Sequence, residues 1–233
     1  MIHVEDDGEV RVVTLDRPKR RNALTPELLD ALETAVVDAP TPVVYLRGEG
    51  EAFCAGADLS VVAKVAESGD VKRFVRRGQR VADSIETTDS VVVAGIDGAA
   101  RGGGVELALA CDIRLATPGA TFGEPGVTFG LFGAWGGTVR LPEIVGLGNA
   151  LDFSLSGRVI DADEARRIGL VSRVVDDPHD VAKGLTKNDK QALGVLKERV
   201  RDRGAKADQE DAEVAAFERL VAAHAEELAT YGE

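Results

Sequence analysis

The stretch "ARGGGVELALACDI", residues 100–113, places three consecutive glycines ahead of a run that otherwise reads as a helix, with Glu106 two positions after the last of them. It follows the β-branched run "SVVVAGI", residues 90–96, so the glycines stand where a strand gives way to a helix. Glycine there allows φ > 0 and lets a ligand come up against bare backbone. Amides near 102 to 104 have no intrahelical acceptor and point outward at the positive end of the helix dipole, which suits an oxygen carrying negative charge. Glu106 lies three residues after Gly103 on the same face, and helical side chains lean toward the N-terminus, so its carboxylate stands beside whatever those amides hold. A plainer reading competes: Glu in a first turn is a common capping choice, and glycines often serve only a tight bend.

A second segment repeats the arrangement. The strand "VVYLRG", residues 43–48, leads through "EAFCAGADLS", residues 51–60, to a small-residue bend at Ala55, Gly56 and Ala57. Two amides from separate bends can bracket one carbonyl oxygen, which stabilises an enolate or a tetrahedral oxyanion at about 3 kcal/mol per donor. The alternative for this segment is a turn in which Asp58 caps a following helix.

Outward from these two bends the chain reads as strands alternating with helices, an α/β pattern with mainly parallel pairing. "EVRVVTLDRP", residues 9–18, is a strand, and Thr25 with Pro26 opens a helix whose apolar face is Leu28, Leu29, Leu32, Ala35 and Val36. A further helix over about 71–86 is interrupted by Gly78. "IRLAT" is a strand, "ATFGEPGVTFGLFGAWGG" is a long loop, Asp161 and Glu164 form a capping box, and "LVSRVV" is a last strand. From about Lys187 the pattern becomes helical and charged, with Leu193, Leu196, Val200, Val214, Phe217, Leu220 and Val221 as faces to pack on the core or on another subunit. The division expected is a core over 1–182 and a helical region over 183–233 that supplies oligomer contacts.

Composition narrows the chemistry. With 40 acidic against 28 basic residues and a net charge of -12, nucleic acid and anionic membrane are poor partners. The scattered acids and the excess of Arg over Lys fit adaptation to high salt as well as an ordinary acidic cytosolic protein. No leader pattern or bilayer-length apolar run is present, which points to a cytoplasmic location. Cys54 and Cys111 lack metal or redox spacing, and His3, His179 and His224 are scattered, which removes most Ser-His, Cys-His and zinc mechanisms. Neither a phosphate-loop nor a dinucleotide-binding glycine pattern occurs.

The segments "LDRPKRRNAL", "EAFCAGADL", "GAARGGGVELALACDI", "FGEPGV", "GGTVRLPEIVG" and "SGRVIDADEARRIGLVSRVV" resemble, in order and spacing, the crotonase or enoyl-CoA hydratase/isomerase superfamily over about residues 1–176. The resemblance implies a ClpP/crotonase-like β-β-α spiral core with a short C-terminal helical region, assembled as a homotrimer or a dimer of trimers. It implies an acyl-CoA thioester as substrate and no separate cofactor, since coenzyme A arrives as part of the substrate. It places the oxyanion hole on the amides of Ala57 and Gly103 and one catalytic carboxylate on Glu106. It assigns substrate contacts to Arg17 and Arg21 beside the CoA phosphates, and to Ala55, Asp58, Gly102, Gly126 and Leu131.

The chain departs from the pattern at Gly126, where typical hydratases carry their second catalytic Glu, and Glu124 lies two residues earlier. If 124–126 are extended they share a face, so Glu124 is a candidate second acid, with a loop or ion-pair role as the alternative. Gly126 also resembles the corresponding glycine of dihydroxynaphthoyl-CoA synthases, where a bound anion supplies the absent carboxylate. The C-terminal part is shorter than usual in the family, and its final helical segment is not recognisable. Leu131, Phe132 and Trp135 suit an acyl pocket or, better, core packing. The expectation is an acyl-CoA enzyme that stabilises a thioester enolate and hydrates 2-enoyl-CoA. An isomerase with Glu106 as sole acid/base and a non-catalytic acyl-CoA binding subunit are the alternatives.

Overall fold

The runs "VRVVTL", "VVYLRG" and "VVVAGI" are too continuously apolar for a sheet with one wet face, and almost every residue in them is buried. They become β2 (Val10–Leu15), β3 (Val43–Gly48) and β4 (Val91–Ile96), paired in parallel. In the computed structural model, which describes residues 1–232, β1 (Ile2–Asp7) joins β2 antiparallel at one edge. At the other edge β6 (Ile113–Ala116) and β9 (Arg173–Val174) continue the parallel set beyond β4. Three short strands, β5 (Ala99–Arg101), β7 (Thr121–Gly123) and β8 (Val159–Asp161), form a second sheet.

The chain runs from β4 to β5 to α4 (Gly103–Ala110), and again from β6 to β7 to α5 (Gly137–Val145). Each turn therefore gives one strand to each sheet before its helix, which is the expected β-β-α spiral. α1 (Pro26–Val37) starts where Thr25 accepts from the Leu28 amide, with Pro26 in its first turn, and it buries Leu29, Leu32, Ala35 and Val36. α2 (Leu59–Ser68) leads to α3 (Val71–Thr87), which buries Val81, Ala82 and Ile85 against the core. The expected interruption at Gly78 is absent, and α3 runs unbroken through it; the glycine serves close packing, since a Cβ there would lie 2.2 Å from Trp135 Cδ1. α6 (Leu147–Ser156) follows α5, and α7 (Ala162–Arg167) begins where Asp161 accepts from the Glu164 amide at 2.8 Å.

The opposite face of the main sheet is covered by α8 (Pro178–Leu185), whose Ala182 joins Val10, Val43, Tyr45 and Val93 in a second apolar cluster. The division at 182/183 thus falls inside a helix that packs on the sheet. α9 (Lys190–Arg201), α10 (Lys206–Ala223), α11 (Ala225–Ala229) and a 3-10 turn at Thr230–Gly232 complete the described chain. Only Leu193 of the predicted C-terminal faces packs on that cluster, while Leu196, Val200, Val214, Phe217 and Val221 are exposed.

Other expectations are corrected. β1 was not anticipated, because an edge strand that is largely exposed carries little apolar alternation. The strand over 170–175 shrinks to two residues. The long loop over 120–137 contains β7 and a 3-10 helix at Pro125–Phe129, and α5 and α6 lie beyond it.

Candidate functional site

The glycine triplet divides its work. Gly102 takes φ 48 and ψ -119 at the cap of α4, a conformation that disfavours any side chain. Gly103 and Gly104 are needed for close approach: a Cβ would lie 2.4 Å from Trp135 Cζ3 at the first and 2.2 Å from the Cys54 carbonyl oxygen at the second. The bend at 55–57 runs beside this turn, because Cys54 donates to the Ala99 carbonyl at 3.1 Å and Arg101 donates to the Cys54 carbonyl at 2.9 Å. Gly56, at φ 83, is pressed so close that a Cβ would lie 2.8 Å from the Gly103 nitrogen. Among the described residues neither the Ala57 nor the Gly103 amide has an acceptor. Two donors thus stand free on touching bends.

Glu106 is 2% exposed. Its side chain does not cap its own helix. Oε1 accepts from the Trp135 amide at 2.7 Å and the Gly137 amide at 2.8 Å, at the start of α5. Burial raises its pKa, while these two hydrogen bonds and the charge of Arg140 oppose the rise without cancelling it.

Glu124 comes to the same place by strand register. Arg101 of β5 pairs with Gly123 of β7, and the Gly102 amide donates to the Gly123 carbonyl at 3.0 Å, so the next residue stands beside the glycine turn. Its side chain is buried, and burial followed by the charge of Glu106 pushes its pKa to about 8. The premise of an extended 124–126 fails, since Pro125 starts a 3-10 helix. Gly126 instead packs on backbone, with a Cβ position 3.0 Å from the Leu131 carbonyl oxygen and from Phe132 Cα.

The remaining predicted contacts divide. Arg17 Nη1 donates to Asp58 Oδ2 at 2.6 Å and to the Ala23 carbonyl at 3.0 Å. Asp58 also caps α2 through the Ser60 amide and hydroxyl, and these bonds with Arg17 hold its pKa at about 2. Both side chains help to fix the loop, and Asp58 caps α2 while the Ala57 amide just before it stays free. The Ala55 amide donates to the Arg21 carbonyl at 2.8 Å, and Arg21 takes φ 48. Sequence reasoning missed Asn22, buried at φ 57, whose side-chain amide donates to the Glu49 and Ala52 carbonyls. Its position after two arginines in a turn, where Asn tolerates the left-handed region, was the available cue.

Leu131 and Phe132, expected in the core, are 51% and 71% exposed, because the 3-10 helix ends at Gly130 and lifts the loop away. Trp135 is buried, edge-on to Phe74 at 5.6 Å. Cys54 and Cys111 are buried thiols raised to about 12, chiefly by desolvation. Among the described residues no group of three or more His, Cys, Asp or Glu is placed to hold a metal ion.

The site thus brings together two amides without acceptors on touching bends, one buried carboxyl held by amides and a second that resists ionisation. The sequence matches the family model described as Enoyl-CoA hydratase/isomerase over residues 5–230, through the C-terminal helices that the recognisable motifs did not reach. It is 40% identical over 178 residues to a short-chain-enoyl-CoA hydratase of Clostridium acetobutylicum, a match covering 74% of this chain and 68% of the relative. A crystal structure of an enoyl-CoA hydratase from Bacillus anthracis superposes with a TM-score of 0.88 at 33% identity, covering 93% of this chain and 89% of that one. A Thermobifida fusca chain solved in complex with acetoacetyl-CoA superposes with a TM-score of 0.87 at 29% identity, covering 95% and 94%.

Proposed function

The chain belongs to the enoyl-CoA hydratase/isomerase family, and from that premise we propose that it adds water across the double bond of 2-enoyl-CoA thioesters. The thioester oxygen accepts from the Ala57 and Gly103 amides, which stabilise it most strongly once it becomes the enolate oxygen. Glu106 takes a proton from water as the water oxygen bonds to C3. The π electrons move toward the thioester, and C2 takes its proton from Glu124. The reaction leaves Glu106 protonated and Glu124 ionised, and proton exchange restores both.

The surroundings of the two carboxyls support this division of labour. Glu124, raised to about 8, keeps its proton at neutral pH, while two amide donors and Arg140 favour the ionised form of Glu106. The observation that carries the proposal is this pair of buried carboxyls beside two unpartnered amides. A binding subunit that had lost turnover has no need of the second acid.

Arg21 remains the candidate for CoA phosphates, and the bend at Ala55 and Gly102 lines the thioester. An acyl-CoA substrate is supported by the acetoacetyl-CoA bound to the Thermobifida relative. A homotrimer, or a dimer of trimers, is supported by the outward stripe of Leu147, Leu151 and Leu155 on α6 together with Phe217 and Val221 on α10. The test is to offer the purified protein crotonyl-CoA and a 3-enoyl-CoA. Conversion of the first to 3-hydroxybutyryl-CoA is expected, and isomerisation of the second without hydration of the first would overturn the reading.

A further inference from the structure

The geometry points to Arg140 as the positioning residue for Glu106, acting through the peptide that lies between the two amides holding that carboxylate. Arg140 is in α5, and its Nη1 donates to the Trp135 carbonyl at 3.2 Å. The amides of Trp135 and Gly137, on either side of that carbonyl, are the two donors to Glu106. Gly136 makes the approach possible: a Cβ there would lie 1.9 Å from Arg140 Nη1.

The guanidinium is itself fixed. Its side chain is 11% exposed, and Nη2 donates to Asp83 Oδ1 at 2.8 Å and Glu86 Oε2 at 2.6 Å, both on α3. Glu86 is clamped from the other side by Arg201 of α9, at 2.7 Å. Arg201 also holds Asp112 at 2.7 Å and the Ala110 carbonyl at the end of α4 at 2.8 Å. A continuous set of hydrogen bonds thus runs from one end of α4 through α9, α3 and α5 to the carboxylate near its other end. A planar fork that serves Trp135, Asp83 and Glu86 together is a task for arginine, not lysine.

The titratable and charged groups facing Glu106 are Arg140 from α5, which favours its ionised form, and Glu124 from the segment after β7, whose own proton the charge of Glu106 helps to hold. Asp83, Glu86 and Arg201 face Arg140 and set its position.

The inference rests on Glu106 acting as the base of hydration, and its test separates the two claims. Glu106 is titrated by carbon NMR in glutamate-labelled wild type and Arg140→Gln without substrate, and kcat and KM for crotonyl-CoA are measured across pH. Arg140→Gln is expected to move the Glu106 titration and the acidic limb of kcat to higher pH. It is expected to lower kcat about 10- to 100-fold with KM nearly unchanged. Arg140→Lys restores the position of the limb but only part of kcat.

Unchanged titration and kcat in Arg140→Gln overturn the inference. If the wild type does not act on enoyl-CoA, the functional reading fails and the titration alone decides the role of Arg140. If Arg140→Gln does not fold, Arg140→Lys and Glu86→Gln decide, with wild-type kcat in both as the overturning result.

Discussion

Replacing Glu124 by Gln should stabilise the protein in alkaline solution while impairing it as a catalyst. The folded carboxyl titrates near 8 against an ordinary value of 4.5. Between those values the native state keeps a proton that the unfolded chain releases, so the contribution of this carboxyl to stability falls as pH rises through the window and is gone above about 8. At about 1.36 kcal/mol per pH unit the window is worth roughly 5 kcal/mol as an upper figure, and a neutral amide escapes the loss. Urea unfolding of both proteins at equal protomer concentration reads the difference directly. The midpoints should lie close together at pH 4.5 and separate by about 1 M or more at pH 8.5. Hydration by the variant should fall about 100- to 10,000-fold, since the amide cannot supply the proton. Parallel pH profiles of stability would show that Glu124 is not held protonated by its site, and the assigned acid role would fail with it.

Two further outcomes follow from particular contacts. Gly126→Glu should cost about 1–3 kcal/mol in chemical denaturation, because backbone atoms of Leu131 and Phe132 stand 3.0 Å from its Cβ position. It should bring no gain in hydration, and a rise above wild type would assign the second acid to position 126 in place of Glu124. Light scattering of the purified chain should return three or six times the protomer mass, with its exposed α6 and α10 apolar residues covered; a monomer would remove the proposed assembly.

The parts of this fold legible in the sequence are those whose physics is local. β2, β3 and β4 read as buried strands because their residues are apolar on both faces, and Thr25 and Asp161 announced helix starts through their caps. α5 and α6 were hidden by Gly136, Gly137, Pro142, Gly146 and Gly148, which interrupt the helical pattern in the sequence; Gly136 and Gly146 take positive φ, and Gly137 packs against Glu106. At the site, the free amides of the glycine turn were predictable from strand-to-helix geometry. The partners of Glu106 were not, since the Trp135 and Gly137 amides lie 29 and 31 residues away along the chain. The place of Glu124 depends on a three-residue register between β5 and β7, too short to leave a periodic trace. The exposure of Leu131 and Phe132 likewise follows from a 3-10 turn that their apolar character conceals.

The central claim is that Glu106 moves a proton on a thioester held by the Ala57 and Gly103 amides. It is met most directly by comparing wild type with Glu106→Gln for crotonyl-CoA binding and for turnover on the same preparation. Retained binding with hydration reduced at least about 100-fold is the predicted result. Full hydration by the variant would contradict the account.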